Sequence, residues 1–485
     1  MEYTNSDLHY ISATEAIGAF KAKELSPVEL LEAVISRIET TNDEVNCLTY
    51  KYFDRAREQA RKAEDTYANS PDSARPLEGV PCAIKDWHSV AGEVTTYGSR
   101  AFKDFRPDQT APTVERLLDA GAVMHSRTTT PEFAHSGNTK SPLWGITRNP
   151  WNLDYSAGGS SGGAGAALAA GMTTLADGTD GGGSIRIPAS ANGVVGYKPP
   201  FGRNPLDREH PGETVLHYGP LARTVADVAL MQNVMSGAHP ADLYSLRDRV
   251  ELPAQFEDVR GWRVALSMDL GYYAVSETVR ENTRKAAEAF RELGCTVEEV
   301  DLGWDESALE AWLTNWEGLF WALMNDMFSR WRFALDPFVV KILEQGSRRT
   351  VPEFYGVQRT RYEMYQKLGP ILEDHNVLIC PTLAVPSVKA EHDNDEPDFE
   401  IDGKPVYPYV GWILTYPFNL VSQCPVASVP SGFCPETGVP TGLQIVAKTF
   451  DDLSVFRAAA AFEKARPWGE KHPTLGREMR APAPA

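Results

Sequence analysis

The chain has 485 residues, 42 % of them hydrophobic and 23 % charged, and a formal net charge of −19. That length can bury a large core, and so negative a surface opposes association with nucleic acid or an anionic membrane. The six cysteines (Cys47, Cys82, Cys295, Cys380, Cys424 and Cys434) are scattered, with no Cys-x-x-Cys spacing. Neither a disulfide framework nor a metal site is expected, and a reducing, cytoplasmic setting fits. The first seven residues are polar and acidic, and no apolar run approaches the roughly 18 residues a membrane span needs.

Taken in order, the chain opens with helices over about residues 1–70. Ser26-Pro27-Val28-Glu29 reads as a capping box with proline at the first helical position, followed by Leu30, Leu31, Val34 and Ile38 at helical spacing. A second helix is expected over 53–68. Gly79 to Ile84 reads as a short buried strand that runs directly into Lys85-Asp86. A lysine at the end of an apolar strand is unusual, because burying an ammonium is costly; taken alone, its head belongs in solvent. Residues 113–121 read as a helix, Val123-Met124 as a strand, and 128–155 as a long loop of the kind that tends to be functional. A helix of small residues spans 164–171 and a strand 173–176. Later come a helix over 222–236, a strand over 262–266, a charged helix over 276–293 and a strand over 296–300. This alternation indicates an α/β sheet. Residues 304–338 carry Trp304, Trp312, Trp316, Phe320, Trp321, Met324 and further large side chains at helical spacing. They read as the aromatic core of a helical insertion over about 304–370, some of whose rings line an apolar substrate channel. Strands at 377–382, 424–430 and 442–446 and a helix at 453–464 complete the pattern. The acidic stretch 391–403 reads as a solvated loop and the last residues, from Arg480, as frayed. No internal repeat or linker divides the chain, so a single domain over 1–485 is expected, with the core of the chemistry at about 75–235.

Three consecutive glycines, Gly181, Gly182 and Gly183, precede Ser184. Such a run suits converging backbone N–H groups rather than a helix or strand interior. By itself it reads equally as a connector or as an acyl-transfer loop. Gly158-Gly159-Ser160-Ser161-Gly162 literally matches the Gly-x-Ser-x-Gly elbow of α/β-hydrolases, whose histidine would have to be His217, His375 or His392, none with a supporting pattern. No Gly-Lys-Ser/Thr follows either glycine run, which argues against a phosphate-binding P-loop.

Taken together, Gly79-Val80-Pro81 leading to Lys85-Asp86, then Gly158-Gly159-Ser160-Ser161-Gly162-Gly163, then Asp180-x-Gly182-Gly183-Ser184-Ile185-Arg186 resembles the amidase signature family. Further landmarks are Thr95-Thr96-Tyr97-Gly98-Ser99, Thr147-x-Asn149-Pro150-Trp151, Gly193-x-x-Gly196-x-Lys198-Pro199 and Gly442-Leu443-Gln444. The resemblance extends from about residue 10 to about 468. It implies an α/β fold with a mixed central sheet covered by helices on both faces, and a Ser–cis-Ser–Lys triad: Ser184 as nucleophile, Ser160 as bridging serine, Lys85 as base. Gly181, Gly182, Gly183 and Ser184 would supply oxyanion donors, and no cofactor or metal is implied. A lysine can act as base only when neutral, so its pKa must be lowered by burial or nearby dipoles. Asp180 and Arg186 are read as braces of the loops.

The resemblance implies hydrolysis of a small-molecule amide, carbamate or ester, and the aromatic 304–338 region points to a bulky, partly apolar substrate. One departure stands out: many family members carry threonine where this chain has Gly181, and the glycine form resembles cyclic-amide hydrolases of the nylon-oligomer type. The alternative is an amidotransferase component that feeds ammonia to a tRNA-dependent complex. Those proteins usually show Arg-Gln-Pro after the nucleophile, whereas this chain has Arg186-Ile187-Pro188. The N-terminal helices could pack on their own core or on a second copy, so a homodimer is a further expectation.

Overall fold

The first helices form where the sequence caps them. In a computed structural model, described over residues 8–207 and 212–476, α1 (Ala13–Ala22) and α2 (Pro27–Val45) each start from a serine, Ser12 or Ser26. Each serine forms a reciprocal capping box with the glutamate three residues on. Leu30, Leu31, Val34, Ile35 and Ile38 bury one face of α2, and α3 (Phe53–Asn69) follows.

Eleven strands form one mixed sheet. In chain order they are β1 (Leu48–Lys51), β2 (Pro81–Lys85), β3 (Val123–Thr128), β4 (Leu175–Asp180), β5 (Val195–Lys198), β6 (His217–Ala222), β7 (Arg263–Leu266), β8 (Thr296–Glu299), β9 (Val377–Pro381), β10 (Val426–Phe433) and β11 (Pro440–Val446). In space they run β1-β3-β2-β4-β6-β5-β10-β11-β9-β7-β8. The β3-β2-β4 and β9-β7-β8 groups are parallel, and the strands between them pair antiparallel. Every residue of β2, β3, β4, β5 and β6 is buried, as strands with both faces covered must be.

The covering helices are α4 (Pro112–Asp119), α5 (Gly162–Ala169), α6 (Arg186–Asn192), α7 (Val225–Met235), α8 (Glu277–Glu292) and α13 (Asp452–Ala465). Between β8 and β9 the chain leaves the sheet for α9 (Ser307–Trp331), α10 (Pro337–Gly346) and α11 (Val351–Asp374); a short α12 (Pro417–Leu420) precedes β10. The expected aromatic core is there: Trp304, Trp312, Trp316, Phe320 and Met324 join Phe338, Tyr409, Trp412 and Tyr416 in one apolar cluster. Phe333 is not part of it and stands 99 % exposed.

Several expectations are corrected. The long loop at 128–155 is stitched by two small antiparallel ladders, Lys140–Ser141 with Gly145–Ile146 and Arg148–Asn149 with Asn152–Ser156. The strand expected over 173–176 continues through Asp180, because antiparallel pairing with β6 carries its polar residues into register (His217 opposite Asp180, Leu175 opposite Ala222). Helix α6 and strands β5 and β6 had no clear periodicity in the sequence, being short and rich in glycine, alanine and proline. Within the acidic stretch 391–403, Ile401 and His392 are buried, and Glu400–Ile401 pairs with Lys404–Pro405. The C-terminal residues from Arg480 lie outside the described residues.

Small residues are required where α5 crosses the loops. A methyl group on Gly163 would lie 2.3 Å from the Thr129 backbone nitrogen and 2.7 Å from the Cys47 carbonyl oxygen. Backbone cannot yield as a flexible side chain can, so Gly163→Ala is expected to destabilise the protein by about 1–3 kcal/mol. A urea midpoint equal to that of the parent would contradict this.

Candidate active site

The last residue of β2 is Lys85, and its side chain is fully buried. Its Nζ lies 2.7 Å from Ser160 Oγ, 2.9 Å from Ser161 Oγ and 2.7 Å from Thr179 Oγ1. The solvated head expected of a lone strand-end lysine is therefore absent: β4 and the 158–163 loop close over it. Burial pushes its pKa down to about 7, against the opposing pull of the Asp177 and Asp180 carboxylates. An ammonium donates three hydrogen bonds; a neutral amine donates two and accepts one. Three hydroxyl partners satisfy either form, so the cage tolerates both protonation states without moving a heavy atom.

Thr179 and Asp177 escaped the sequence reading. Asp177 Oδ1 accepts the Lys85 backbone N–H at 2.7 Å, and Oδ2 lies 2.5 Å from His88 Nδ1, both side chains being fully buried. Their signal was present in Asp177-Gly178-Thr179-Asp180, a run with no apolar side chain in a wholly buried strand. Buried polar groups need partners, and here the partner is the lysine on the neighbouring strand.

Ser160 follows a cis peptide bond after Gly159. The backbone N–H of Ser161 donates to the carbonyl of Ser184 at 3.1 Å, which sets the two serine loops side by side. The glycine run leads from β4 to α6, and each of its carbonyls is engaged. Gly181 O accepts Trp312 Nε1 at 3.0 Å, Gly182 O accepts Thr415 Oγ1 at 2.6 Å, and Gly183 O accepts the Ile187 N–H at 2.7 Å.

Asp180 and Arg186 brace this loop, as expected. Arg186 donates to both carboxylate oxygens of Asp180, at 3.0 and 2.8 Å, and also to Gln444 Oε1, Asn419 Oδ1 and the Thr415 carbonyl. Burial alone would raise the Asp180 carboxyl; the guanidinium outweighs it and holds the pKa below the ordinary carboxylate value. The three histidines a hydrolase elbow would need serve the scaffold instead. His217 sits between the carbonyls of Asp180 and Ser422, His375 bonds the carbonyl of Ile371, and His392 that of Pro408.

Ser160, Thr179, Gly181 and Ser184 lie in the wall of a cavity of about 300 Å³. The rest of the wall is apolar: Trp87, Tyr97, Phe102, Phe105, Phe133, Leu216 and, from α9, Trp316, Leu319, Phe320, Leu323, Met324 and Met327. The aromatic stretch therefore contributes both to the core and to the wall of this cavity. A larger groove of about 750 Å³ between α8 and α13 holds none of these polar groups. No group of potential metal-binding side chains occurs among the described residues.

Residues 29–456 match the model of the Amidase family. The chain is 36 % identical to an acylamidase of Rhodococcus erythropolis, over 97 % of this chain and 98 % of that protein. It is 31 % identical to a glutamyl-tRNA(Gln) amidotransferase component from Chloroflexus aggregans, over 97 % and 100 %. Among solved structures it superposes on a bacterial aryl acylamidase of the amidase signature family with a TM-score of 0.88 at 33 % identity, covering 96 % and 98 % of the two chains. It superposes on 6-aminohexanoate cyclic dimer hydrolase with a TM-score of 0.85 at 30 % identity, covering 96 % and 99 %. The chain belongs to the amidase signature family. It is an amidase, a hydrolase of carbon–nitrogen bonds other than peptide bonds.

The Asp180–Arg186 pair lends itself to a direct stability test. Removing one partner of a buried ion pair leaves the other uncompensated, at a cost of about 3–5 kcal/mol. Arg186→Met is expected to lose that much stability in urea unfolding, and a loss under about 1 kcal/mol would show that the pair is not a brace.

Proposed function

We propose that the protein hydrolyses amides of small, largely apolar carboxylic acids or amines through an acyl-enzyme on Ser184, with Ser160 as relay and Lys85 as base. The observation that carries this reading is the fully buried Lys85 amine, 2.7 Å from Ser160 Oγ, beneath a cavity whose wall holds both Ser160 and Ser184.

Those placements support the following mechanism. A serine hydroxyl is a weak nucleophile and needs an adjacent base. Ser184 Oγ bonds to the substrate carbonyl carbon while its proton passes to Ser160 Oγ and that of Ser160 to neutral Lys85. The carbonyl oxygen gains the negative charge, which the N–H groups of Gly181, Gly182, Gly183 and Ser184 receive; one such donor is worth about 3–4 kcal/mol. As the carbon–nitrogen bond breaks, the proton returns from Lys85 through Ser160 to the leaving nitrogen. Water then attacks the ester, again giving its proton to the relay, and the acid leaves with Ser184 restored.

The cavity supports an apolar substrate. Its aromatic, leucine and methionine walls reward buried apolar area at roughly 25 cal/mol per Å², and outside the serine–threonine cluster they present few groups to bind a polar side chain. This favours anilides and cyclic or linear alkyl amides over glutamine, and a free-standing amidase over an amidotransferase component. Ile187 in place of the usual glutamine points the same way. Carbamates and esters share the same acyl chemistry and belong to the substrate panel.

Ser184→Ala is expected to abolish 4-nitroacetanilide hydrolysis, and a sulfonyl fluoride should label Ser184 alone by mass spectrometry. Activity in that variant, or an adduct elsewhere, would overturn the assignment. Because Lys85 acts when neutral, kcat/KM should rise with pH through about 7 and level off above it. A rate profile flat across that range, or a Lys85→Ala variant that still acylates, would contradict the role of the lysine.

A further inference from the structure

Each of the three glycines faces a side chain from outside the loop. A methyl group on Gly181 would lie 3.0 Å from Trp316 Cζ3, one on Gly182 2.7 Å from Trp312 Cζ2, and one on Gly183 1.9 Å from Thr415 Oγ1. The glycines are therefore what allows two tryptophans of α9 and one threonine ahead of α12 to press against the loop. In the first two cases the atom in the way belongs to an indole that is itself held. Trp316 Nε1 donates to Tyr409 Oη at 2.8 Å, and Trp312 stacks on Trp316 with centroids 5.2 Å apart and planes 18° from parallel.

Two of these side chains do more than fill space. In a trans peptide the C=O of one residue and the N–H of the next lie in one plane and point in opposite directions. The bond from Trp312 Nε1 to Gly181 O thus sets where the Gly182 N–H points, and the bond from Thr415 Oγ1 to Gly182 O does the same for the Gly183 N–H. Neither N–H donates to a protein group among the described residues. Glycine has an unusually wide choice of φ and ψ, so three in succession hold no orientation unaided. Both supporting side chains are buried, Trp312 at 3 % and Thr415 at 0 % exposure, where such bonds are not exchanged with water.

We infer that Trp312 and Thr415 are positioning residues for catalysis: they touch no substrate, and they aim the Gly182 and Gly183 N–H groups at the developing oxyanion. The inference rests on the Ser184 reading above. It also accounts for glycine at 181, since a threonine there would displace Trp316, which is stacked against the indole that orients the next peptide.

Two substitutions isolate the donors. Trp312→Phe keeps a buried aromatic ring and loses the N–H; Thr415→Val keeps the shape and loses the hydroxyl; Thr415→Ser restores it. Loss of an oxyanion donor costs about 10²–10³ in rate. Loss of a donor's support is therefore expected to lower kcat by about 10- to 100-fold in Trp312→Phe and Thr415→Val, with KM within about threefold. Thr415→Ser should recover most of the activity. A trifluoromethyl ketone, whose serine adduct carries an oxyanion, should bind more weakly by the same factor as kcat/KM falls, while inhibition by the product acid stays within about threefold. A kcat within about twofold of the parent in both variants would overturn the inference, as would a loss confined to KM or a Thr415→Ser variant no better than Thr415→Val. If Trp312→Phe fails to fold, the Thr415 pair decides. Ser184→Ala separates the two levels: if it retains activity the nucleophile assignment falls, and if it is inactive while these variants are unaffected, only the positioning roles fall.

Discussion

The structure turns on a lysine that is dry. The end of β2 delivers Lys85 into a site where its amine meets only hydroxyls, and burial takes its pKa to about 7. An ammonium sealed in the interior is costly, and the lowered pKa expresses that cost, which the fold bears at neutral pH; the neutral amine is the form that can accept a proton. The same burial that costs stability thus favours the neutral amine, which the proposed role as base requires. The carboxylates of Asp177 and Asp180 lie near enough to pull the pKa upward. Each is committed elsewhere: Asp177 to the Lys85 backbone and His88, Asp180 to Arg186 and Asn419.

A second buried lysine shows that the pKa alone does not make the site. Burial, aided by Arg186, lowers Lys198 to about 7 as well. Its Nζ donates to the backbone carbonyls of Pro199, Ser422 and Cys424. Carbonyls can accept a hydrogen bond but cannot relay a proton, so Lys198 ties β5 to the 422–424 turn and goes no further. Lys85 differs in having partners that carry protons of their own. The distinction lies in the second atom of each hydrogen bond, not in the amine.

Much of this was legible in the sequence, and the limits have physical causes. The capping box at Ser26 and the apolar spacing of α2 are local signals, and the helix follows them. Lys85, Ser160 and Ser184, the residues proposed to act, were visible because each stands in or close to a glycine-containing motif. What could not be read were contacts from distant parts of the chain. Thr179 looked like one polar residue among several until β4 was laid beside β2. Trp312 and Thr415 lie far along the chain from the loop they support, and no spacing rule connects an indole in an aromatic helix to a glycine carbonyl. The short α6, β5 and β6 were missed because glycine, alanine and proline carry little periodicity; the sheet imposes their conformation through pairing. The Gly181 departure was legible as a difference, but its close packing against the indole of Trp316 was not.

Helix α9 has two duties on one face: Trp312 and Trp316 meet the glycine run, and Trp316, Leu319, Phe320 and Met324 meet the cavity. This divides the cavity into walls with different freedom to change. Enlarging it at Trp316 would loosen the loop in the same stroke, so a variant with a wider cavity would begin with a poorer catalyst. Phe102 and Phe105 on the cavity wall, and Leu323 and Met327 further along α9, are not among the atoms closest to the glycines. With the cavity as the proposed substrate site, its shape can be altered at these four positions one at a time without disturbing the packing on the glycine run.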